Sequence, residues 1–318
     1  MHEVVVISGK GGTGKTSLVA SFAALAGRCV VADADVDAAD LHLVLAPSLR
    51  EEEDYVGGSR ARILSERCTG CGKCEELCRF EAVSGEGTTG EGEIGYRVDP
   101  IACEGCGVCA YFCPEDAIEF LPVVSGRLFV SETRWGPFVH ARLGAAQENS
   151  GKLVTLVRTR ARTVAKEHEL DLVLSDGAPG VGCPVIASLT GADFVVIVTE
   201  PTLSGLHDLQ RVMALTSHFG ARVFVCVNKW DLNEQLATEI ESWAQGRGAS
   251  ILGRIRYDAA VTAAQVAGIP LVEYCEQGAA ADLRNVWLAL GAEVARTERD
   301  ASKEPARKGT EGIHGGIA

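Results

Sequence analysis

The chain has 318 residues, 47% of them hydrophobic, enough to bury a real core and to form more than one domain. Its formal net charge of −13 works against loose binding to nucleic acid or to anionic membranes, both of which select basic surfaces. No apolar run reaches the length of a membrane span, and the N-terminus lacks the segments of a signal peptide, so a cytoplasmic protein is expected. Glu3 to Ser8 predicts a short buried parallel strand that ends at a glycine. After a glycine-rich loop, Ser17 to Ala26 predicts a helix, and Cys29 to Asp33 predicts a second strand followed by an acidic turn reaching Asp40. Residues 51–60 run Glu-Glu-Glu-Asp and then Gly-Gly-Ser, a linker signature. From about 60 to 121 the chain is cysteine-rich and internally repeated, with a Gly/Glu/Thr loop at 84–95 between the halves. Aliphatic strands resume at Asp171–Asp176, Phe194–Thr199 and Arg222–Val227, and helical spacing recurs in Leu206–Phe219 and Asn233–Ala244. Strands alternating with helices predict an α/β fold, a parallel sheet with helices on both faces. The expected division is 1–57 and 122–298 for the two parts of this host, 58–121 for a small inserted α+β domain, and 299–318 for a disordered tail.

Gly9-Lys10-Gly11-Gly12-Thr13-Gly14-Lys15-Thr16 fits the phosphate-binding pattern G-x4-G-K-[ST] between a strand and a helix. Its glycines let backbone N–H groups turn inward around phosphates at the positive end of the helix that Ser17 continues, so Gly9 to Ser17 form the candidate nucleotide-contacting run. In such a loop Lys15 reaches the β- and γ-phosphates and Thr16 ligates Mg2+. A lysine at position 10 resembles the deviant Walker A loop of the MinD/ParA/Mrp ATPases, which include the nitrogenase iron protein. That resemblance implies a sandwich homodimer in which Lys10 reaches the partner's phosphates. Asp33-Ala34-Asp35 is similar to the family's first switch, with Asp35 orienting the attacking water. Asp176-Gly177-Ala178-Pro179-Gly180 resembles its Walker B and second-switch element, with Asp176 near magnesium, and Asn228 matches its adenine-contacting asparagine. Asp37 and Asp40 either support the site from behind its contacting groups or serve as turn and cap residues, the latter being favoured. Asn228-Lys229-Trp230-Asp231 also satisfies the guanine-reading pattern N-K-x-D, so the residues leave the base open; the family resemblance implies ATP.

Eight of the twelve cysteines fall in two copies of Cys-x2-Cys-x2-Cys-x3-Cys, namely Cys68, Cys71, Cys74, Cys78 and Cys103, Cys106, Cys109, Cys113. Crowded thiols in an aliphatic chain point to metal thiolates in a reducing compartment rather than to a secreted disulfide scaffold. Zinc sites use four ligands in two Cys-x-x-Cys pairs across a long gap, a poorer match. The spacing resembles the bacterial ferredoxin run, which holds 4Fe-4S cubes. In two-cluster ferredoxins the fourth cysteine of each run serves the other cube, which implies Cys68, Cys71, Cys74 with Cys113, and Cys103, Cys106, Cys109 with Cys78. The second run continues into Pro114 as that pattern does, whereas the first continues into Arg79. Cys29 and Cys226 read as small buried hydrophobes, and Cys275 carries no further signal. Cys183 follows Asp176 at the offset of a dimer-bridging cluster ligand in the nitrogenase iron protein, although no second such cysteine follows. His42, His140, His207 and His218 are isolated and suit surface or helix-face positions.

Asp176 to Ser188 and Thr199 to Asp208 resemble the MinD-superfamily ATPases that carry an inserted two-cluster ferredoxin domain. The resemblance implies ATP, Mg2+ and two 4Fe-4S clusters in a cytoplasmic homodimer whose nucleotide state is coupled to electron transfer, with an unidentified redox or metallocentre protein as partner. An Mrp-like iron-sulfur or metal-centre carrier is the alternative. Spatial organisation of DNA or of division machinery fits least, because the acidic balance and polar tail lack a basic surface or an amphipathic terminal helix.

Overall fold

The structure, a computed structural model, describes residues 1–88, 94–144 and 151–303. Its first elements are β1 (His2–Ser8), α1 (Lys15–Ala26), β2 (Val30–Asp33), α2 (His42–Leu45) and β3 (Ser48–Ile63). The cysteine-rich segment follows with α3 (Lys73–Glu76), β4 (Val83–Thr88), β5 (Ile94–Val98) and α4 (Val108–Tyr111). The chain returns through β6 (Ile118–Thr133), β7 (Gly136–Leu143), α5 (Lys152–Glu167), β8 (Leu172–Pro179), α6 (Cys183–Leu189) and β9 (Phe194–Thr199). It ends with α7 (Leu203–Thr216), β10 (Arg222–Asn228), α8 (Glu234–Gln245), β11 (Ser250–Ile255), α9 (Ala259–Ala267), α10 (Leu271–Tyr274) and α11 (Ala279–Lys303). No helix among the described residues is long and apolar enough to cross a membrane.

One sheet runs β11-β10-β9-β1-β8-β2-β7-β6-β3, and β4 and β5 form a separate hairpin. Neighbours from β11 to β7 are parallel, whereas β6 and β3 join antiparallel at one edge. The unbroken aliphatic run of β1 is explained by burial on both faces. Val4 and Val6 pack with Leu18 and Phe22 of α1 and Leu283 of α11, while Val5 and Ile7 pack with Val185 of α6, Leu209 of α7 and Ile240 of α8. At the start of β1, buried Glu3 accepts from Arg158 Nε at 2.7 Å and Nη2 at 2.8 Å, and from Ser175 Oγ at 2.9 Å. Arg158 Nη1 also donates to the carbonyls of Ala187 at 2.6 Å and Thr190 at 2.9 Å, so a fully partnered ion pair ties α5 to the end of α6.

Three expectations are corrected. Residues 51–60 are not a linker but part of β3, paired with β6 from Ser48↔Glu132 to Ile63↔Ile118. The acidic run is solvated because β3 is the sheet's edge strand, where charge discourages pairing with another chain. Its glycines mark register shifts; a Cβ on Gly57 would stand 2.6 Å from the Tyr55 ring. Of the loop expected at 84–95, residues 84–88 and 94–95 are strands of the β4–β5 hairpin, and 89–93 lie outside the described residues. The first residues of the expected tail, 299–303, continue α11, and 304–318 lie outside the described residues.

His140 and His42 are not isolated either. Their rings stack at 6.3 Å, and the His140 ring lies 4.6 Å from Phe138 and 4.9 Å from Phe129, with Ser131 Oγ 3.5 Å from Nε2. Burial, then the neighbouring His42 and Arg142, push the His140 imidazole from 6.5 down to about 4. The native state therefore favours neutral His140, and the associated stability is complete above pH 6.5 and is lost as pH falls toward 4. His140→Phe is expected to flatten that part of the pH–stability curve, by at most about 3 kcal/mol before solvent screening. Urea unfolding between those pH values would show parallel curves for the two proteins if His140 played no part.

Candidate functional site

The loop between β1 and α1 is shaped by glycines that no other residue replaces. Gly12 and Gly14 hold φ of 78° and 95°. A Cβ on Gly9 would lie 2.3 Å from Cβ of Asp208, and one on Gly14 would lie 2.5 Å from Nδ2 of Asn228. Beside the loop is a cavity of about 540 Å³ lined by Gly11, Gly12, Gly14, Lys15, Thr16 and Ser17, and on its far side by Asp35, Asp40, Leu43 and Gln265. Lys15 is buried, with Nζ 3.6 Å from Oδ2 of Asp35. Thr16 Oγ1 donates to Oδ2 of Asp176 at 2.7 Å, joining the start of α1 to β8. Ser17 Oγ accepts from Gln265 Nε2 at 2.9 Å, bringing α9 to the same rim.

Carboxylates accumulate here beyond what Lys15 balances. Asp33 and Asp176 face each other across the β2–β8 pairing. Burial, opposed by Lys15 and Thr16 and reinforced by Asp35, pushes the Asp176 carboxyl up to about 6. Burial and Asp176 likewise raise Asp33, whose oxygens accept the backbone N–H groups of Asp35 and Leu41, both at 3.2 Å. Burial raises Asp35 too, against the pull of Lys15. Among the described residues, buried Oδ1 of Asp176 has no hydrogen-bond partner.

Asn228 and Lys10 are placed differently from Lys15. Asn228 ends β10 and donates through Nδ2 to the Thr13 carbonyl at 2.8 Å, while its Oδ1 accepts from Lys229 N at 3.0 Å. Lys10 pairs with Glu200 at 3.1 Å, and Lys229 pairs with the other oxygen of the same carboxylate. Lys229 holds φ of 56°, and its Nζ also lies 3.4 Å from the Gly12 carbonyl. Asp231 Oδ1 accepts from Tyr257 N at 2.7 Å. Asp40, for which the sequence favours a turn or cap role over a supporting role at the site, lines the cavity. Sequence reasoning missed Gln265 and Leu43 entirely, since neither carries a motif. Glu200 was visible only as part of a resembling segment.

The cysteine module stands at the far end of the β3–β6 ladder, which at strand rise extends about 50 Å. It is two copies of one unit offset by 35 positions, as from Cys68 to Cys103 and from Cys78 to Cys113. The copies share backbone detail: Gly72 and Gly107 have φ of 75° and 82°, and Glu81 and Asp116 have φ of 52° and 50°. Ala82 N donates to Cys78 Sγ at 3.3 Å, and Ala117 N donates to Cys113 Sγ at 3.4 Å. One pocket is lined by Cys68, Cys71, Cys74 and Cys113, the other by Cys103, Cys106, Cys109 and Cys78. Each fourth cysteine thus sits with the opposite run. Among the described residues no three such side chains are grouped tightly enough to hold a single metal ion. Burial pushes the Cys74 thiol up to about 11 and raises Cys109 as well. Cys29 and Cys226 are fully buried, and burial pushes both up to about 12, consistent with inert core residues. Cys183 is exposed at the start of α6, away from both pockets.

A parallel sheet with a glycine-rich loop feeding a helix, and a threonine–aspartate pair behind it, defines a P-loop nucleotide-binding protein. Residues 4–271 match the model of the CobQ/CobB/MinD/ParA nucleotide binding domain, and the chain belongs to that family. The uncharacterized protein MJ0578 of Methanocaldococcus jannaschii is 30% identical over 234 residues, 73% of this chain and 79% of that protein. Among solved structures, the septum site-determining protein MinD complexed with Mg-ADP from Pyrococcus horikoshii superposes with TM-score 0.51 at 18% identity, covering 95% of this chain and 99% of its own. The MinC:MinD cell division protein complex of Aquifex aeolicus gives 0.54 at 17% identity, covering 97% and 99%. At these identities the structural likeness concerns the fold.

Because Asn228 Nδ2 holds the phosphate loop at the Thr13 carbonyl, Asn228→Ala is expected to weaken ATP about threefold to tenfold, the value of one such hydrogen bond. Inorganic tripolyphosphate should weaken equally. Calorimetric titration showing a loss for ATP alone would mean that Asn228 reads the base instead.

Proposed function

We propose that this chain is an ATP-binding and ATP-hydrolysing protein that works as a homodimer, holds two 4Fe-4S clusters in its cysteine module, and couples nucleotide state to electron transfer. The observation that carries the reading is the sorting of eight cysteines into two pockets of four in a chain that also has a complete phosphate loop. In a cube each thiolate ligates its own iron, so the sulfurs stand further apart than around one metal ion, and four soft donors with few competing ligands suit it. Such a cluster supplies a one-electron store. Cys68, Cys71, Cys74 and Cys113 would hold one, and Cys103, Cys106, Cys109 and Cys78 the other.

Mg2+ fits the nucleotide site because the unpartnered, buried Oδ1 of Asp176 and the nearby Thr16 offer hard oxygen atoms within a carboxylate excess. Bound, it would neutralise charge on the β- and γ-phosphates. The backbone N–H groups of Gly11 to Thr16 cradle the phosphates at the positive end of α1. Lys15 leaves Asp35 for the terminal phosphates, which frees the Asp35 carboxylate to orient water. Lys10 exchanges Glu200 for the partner subunit's nucleotide. The N-K-x-D pattern does not require guanine, since Asn228 braces the loop and Asp231 already accepts from Tyr257.

Coupling would travel mechanically. Asp35 and Asp40 run directly into α2 and then β3, and β6 returns through β7, which pairs with β2 at Asp33↔His140. A shift of the loop beside the nucleotide therefore pulls on one rail of the ladder while the other stays anchored in the sheet. Such coupling is reciprocal, so cluster reduction must alter ATP affinity by the factor by which ATP alters the reduction equilibrium.

Lys15→Ala is expected to abolish nucleotide binding, whereas Lys10→Ala and Asp35→Ala should lower phosphate release at least about tenfold with binding retained. Unchanged hydrolysis in all three variants would overturn the site assignment. Anaerobically purified chain should contain about eight irons, and Cys113→Ser about four. Zinc in place of iron would end the cluster reading, and ATP-dependent transfer of labelled iron to an apo-protein would favour the carrier alternative.

A further inference from the structure

The 35-residue repeat allows the two cysteine pockets to be compared position by position, and their equivalent linings differ in chemistry. Where the pocket of Cys68, Cys71, Cys74 and Cys113 has Tyr96, the other has Ala61; where it has Lys73, the other has Val108. Glu115 in the first corresponds to Phe80 in the second, and Thr69 to Glu104. The first lining thus combines a phenol, a hydroxyl, the Lys73 ammonium and the Glu115 carboxylate, while the second has Glu104 as its one charged lining residue, among apolar groups. Arg79 does not line the second pocket; its guanidinium lies 5.5 Å from the Phe80 ring centroid.

The backbone donors and the exposure of the cysteines match between the copies and cancel, whereas Glu75, whose charge acts on Tyr96, has Ala110 as its equivalent. Each fourth cysteine receives one backbone N–H, at 3.3 and 3.4 Å. Cys71 and Cys106 are the exposed ligands of their sets, and the remaining cysteines are half-buried in both. The Tyr96 hydroxyl is held close to the first cysteine run: a Cβ on Gly72 would stand 2.9 Å from it.

We infer that the pockets are electrically unequal by construction, with Tyr96 and Lys73 making the site of Cys68, Cys71, Cys74 and Cys113 the more easily reduced of the two. The inference rests on the reading above that both pockets hold 4Fe-4S clusters. Reduction adds one electron, and therefore one negative charge, to a site that exchanges no other atom. A nearby ammonium and hydroxyl dipole stabilise that charge, whereas an apolar lining with a fixed carboxylate opposes it. The unequal order has a direction in the fold. The second pocket includes Ala61 and Phe120, and Gly105 beside it packs on Ser59, whereas the first includes Ile63 and Ile118 at the outer end of the ladder. An electron from a low-potential one-electron donor would therefore rest at equilibrium on the outer site, away from the nucleotide domain.

The test is a dithionite titration of the anaerobically purified full chain, followed by electron paramagnetic resonance and accompanied by iron analysis. Two separate one-electron midpoints are expected. Tyr96→Phe and Lys73→Val should each lower the upper midpoint and leave the lower in place, with the double variant disfavouring reduction about tenfold, or about 59 mV. Ala61→Tyr should raise the lower midpoint. With about eight irons present, coincident midpoints, or an upper midpoint that neither single variant lowers, would overturn the inference while leaving the clusters standing. A chain without iron would overturn the cluster reading and this inference together.

Discussion

The hydrogen bond from Thr16 to Asp176 is the contact around which the nucleotide domain is organised. It joins the first turn of α1 to β8 behind the phosphate loop. The pairing of β8 with β2 then brings Asp33 alongside Asp176. The resulting crowd of buried acids is unfavourable by itself, as the raised Asp33, Asp35 and Asp176 carboxyls show. Lys15 offsets only part of it, and Oδ1 of Asp176 has no hydrogen-bond partner among the described residues. A site with this excess of negative charge and a buried lysine gains from any ligand that brings compensating positive charge.

The second constraint is distance. The cysteine pockets lie at the outer end of an antiparallel ladder whose inner end continues from the loop lining the nucleotide cavity. The two sites therefore do not touch within one protomer, and under the proposed coupling any influence would pass through strand and sheet. In that ladder β6 is anchored on β7, while β3 is the edge strand, its Glu51 paired with Arg160 and its Glu52 and Asp54 with Arg127. A strand with one free edge moves more readily than one clamped on both sides.

Much of the site could be read directly from residue order. The phosphate loop, the second strand ending at Asp33, the β9 boundaries and the helical spacing of α8 all follow local rules, and these elements lie where spacing puts them. The edge strand did not, because an acidic run with two glycines has the composition of a linker, and only its pairing to β6 makes it structure. The α9 helix with Gln265 and the ion pair of Lys10 with Glu200 were equally invisible, since each joins residues far apart in the chain.

Residue order alone determined the chemistry available: a loop with Lys15 and Thr16, two runs of four cysteines, and aliphatic strands that must be buried on both faces. Those are properties of short windows, where spacing and backbone freedom act within a few bonds. Tertiary structure decided which carboxylates share the Lys15 environment and that Asn228 holds the loop at the Thr13 carbonyl, and it set Cys78 and Cys113 with the opposite runs, as the ferredoxin resemblance implies. It also decided that Tyr96 and Ala61 occupy equivalent walls of different pockets. Such outcomes depend on long-range pairing and burial, whose energies belong to the assembled sheet and not to any local segment.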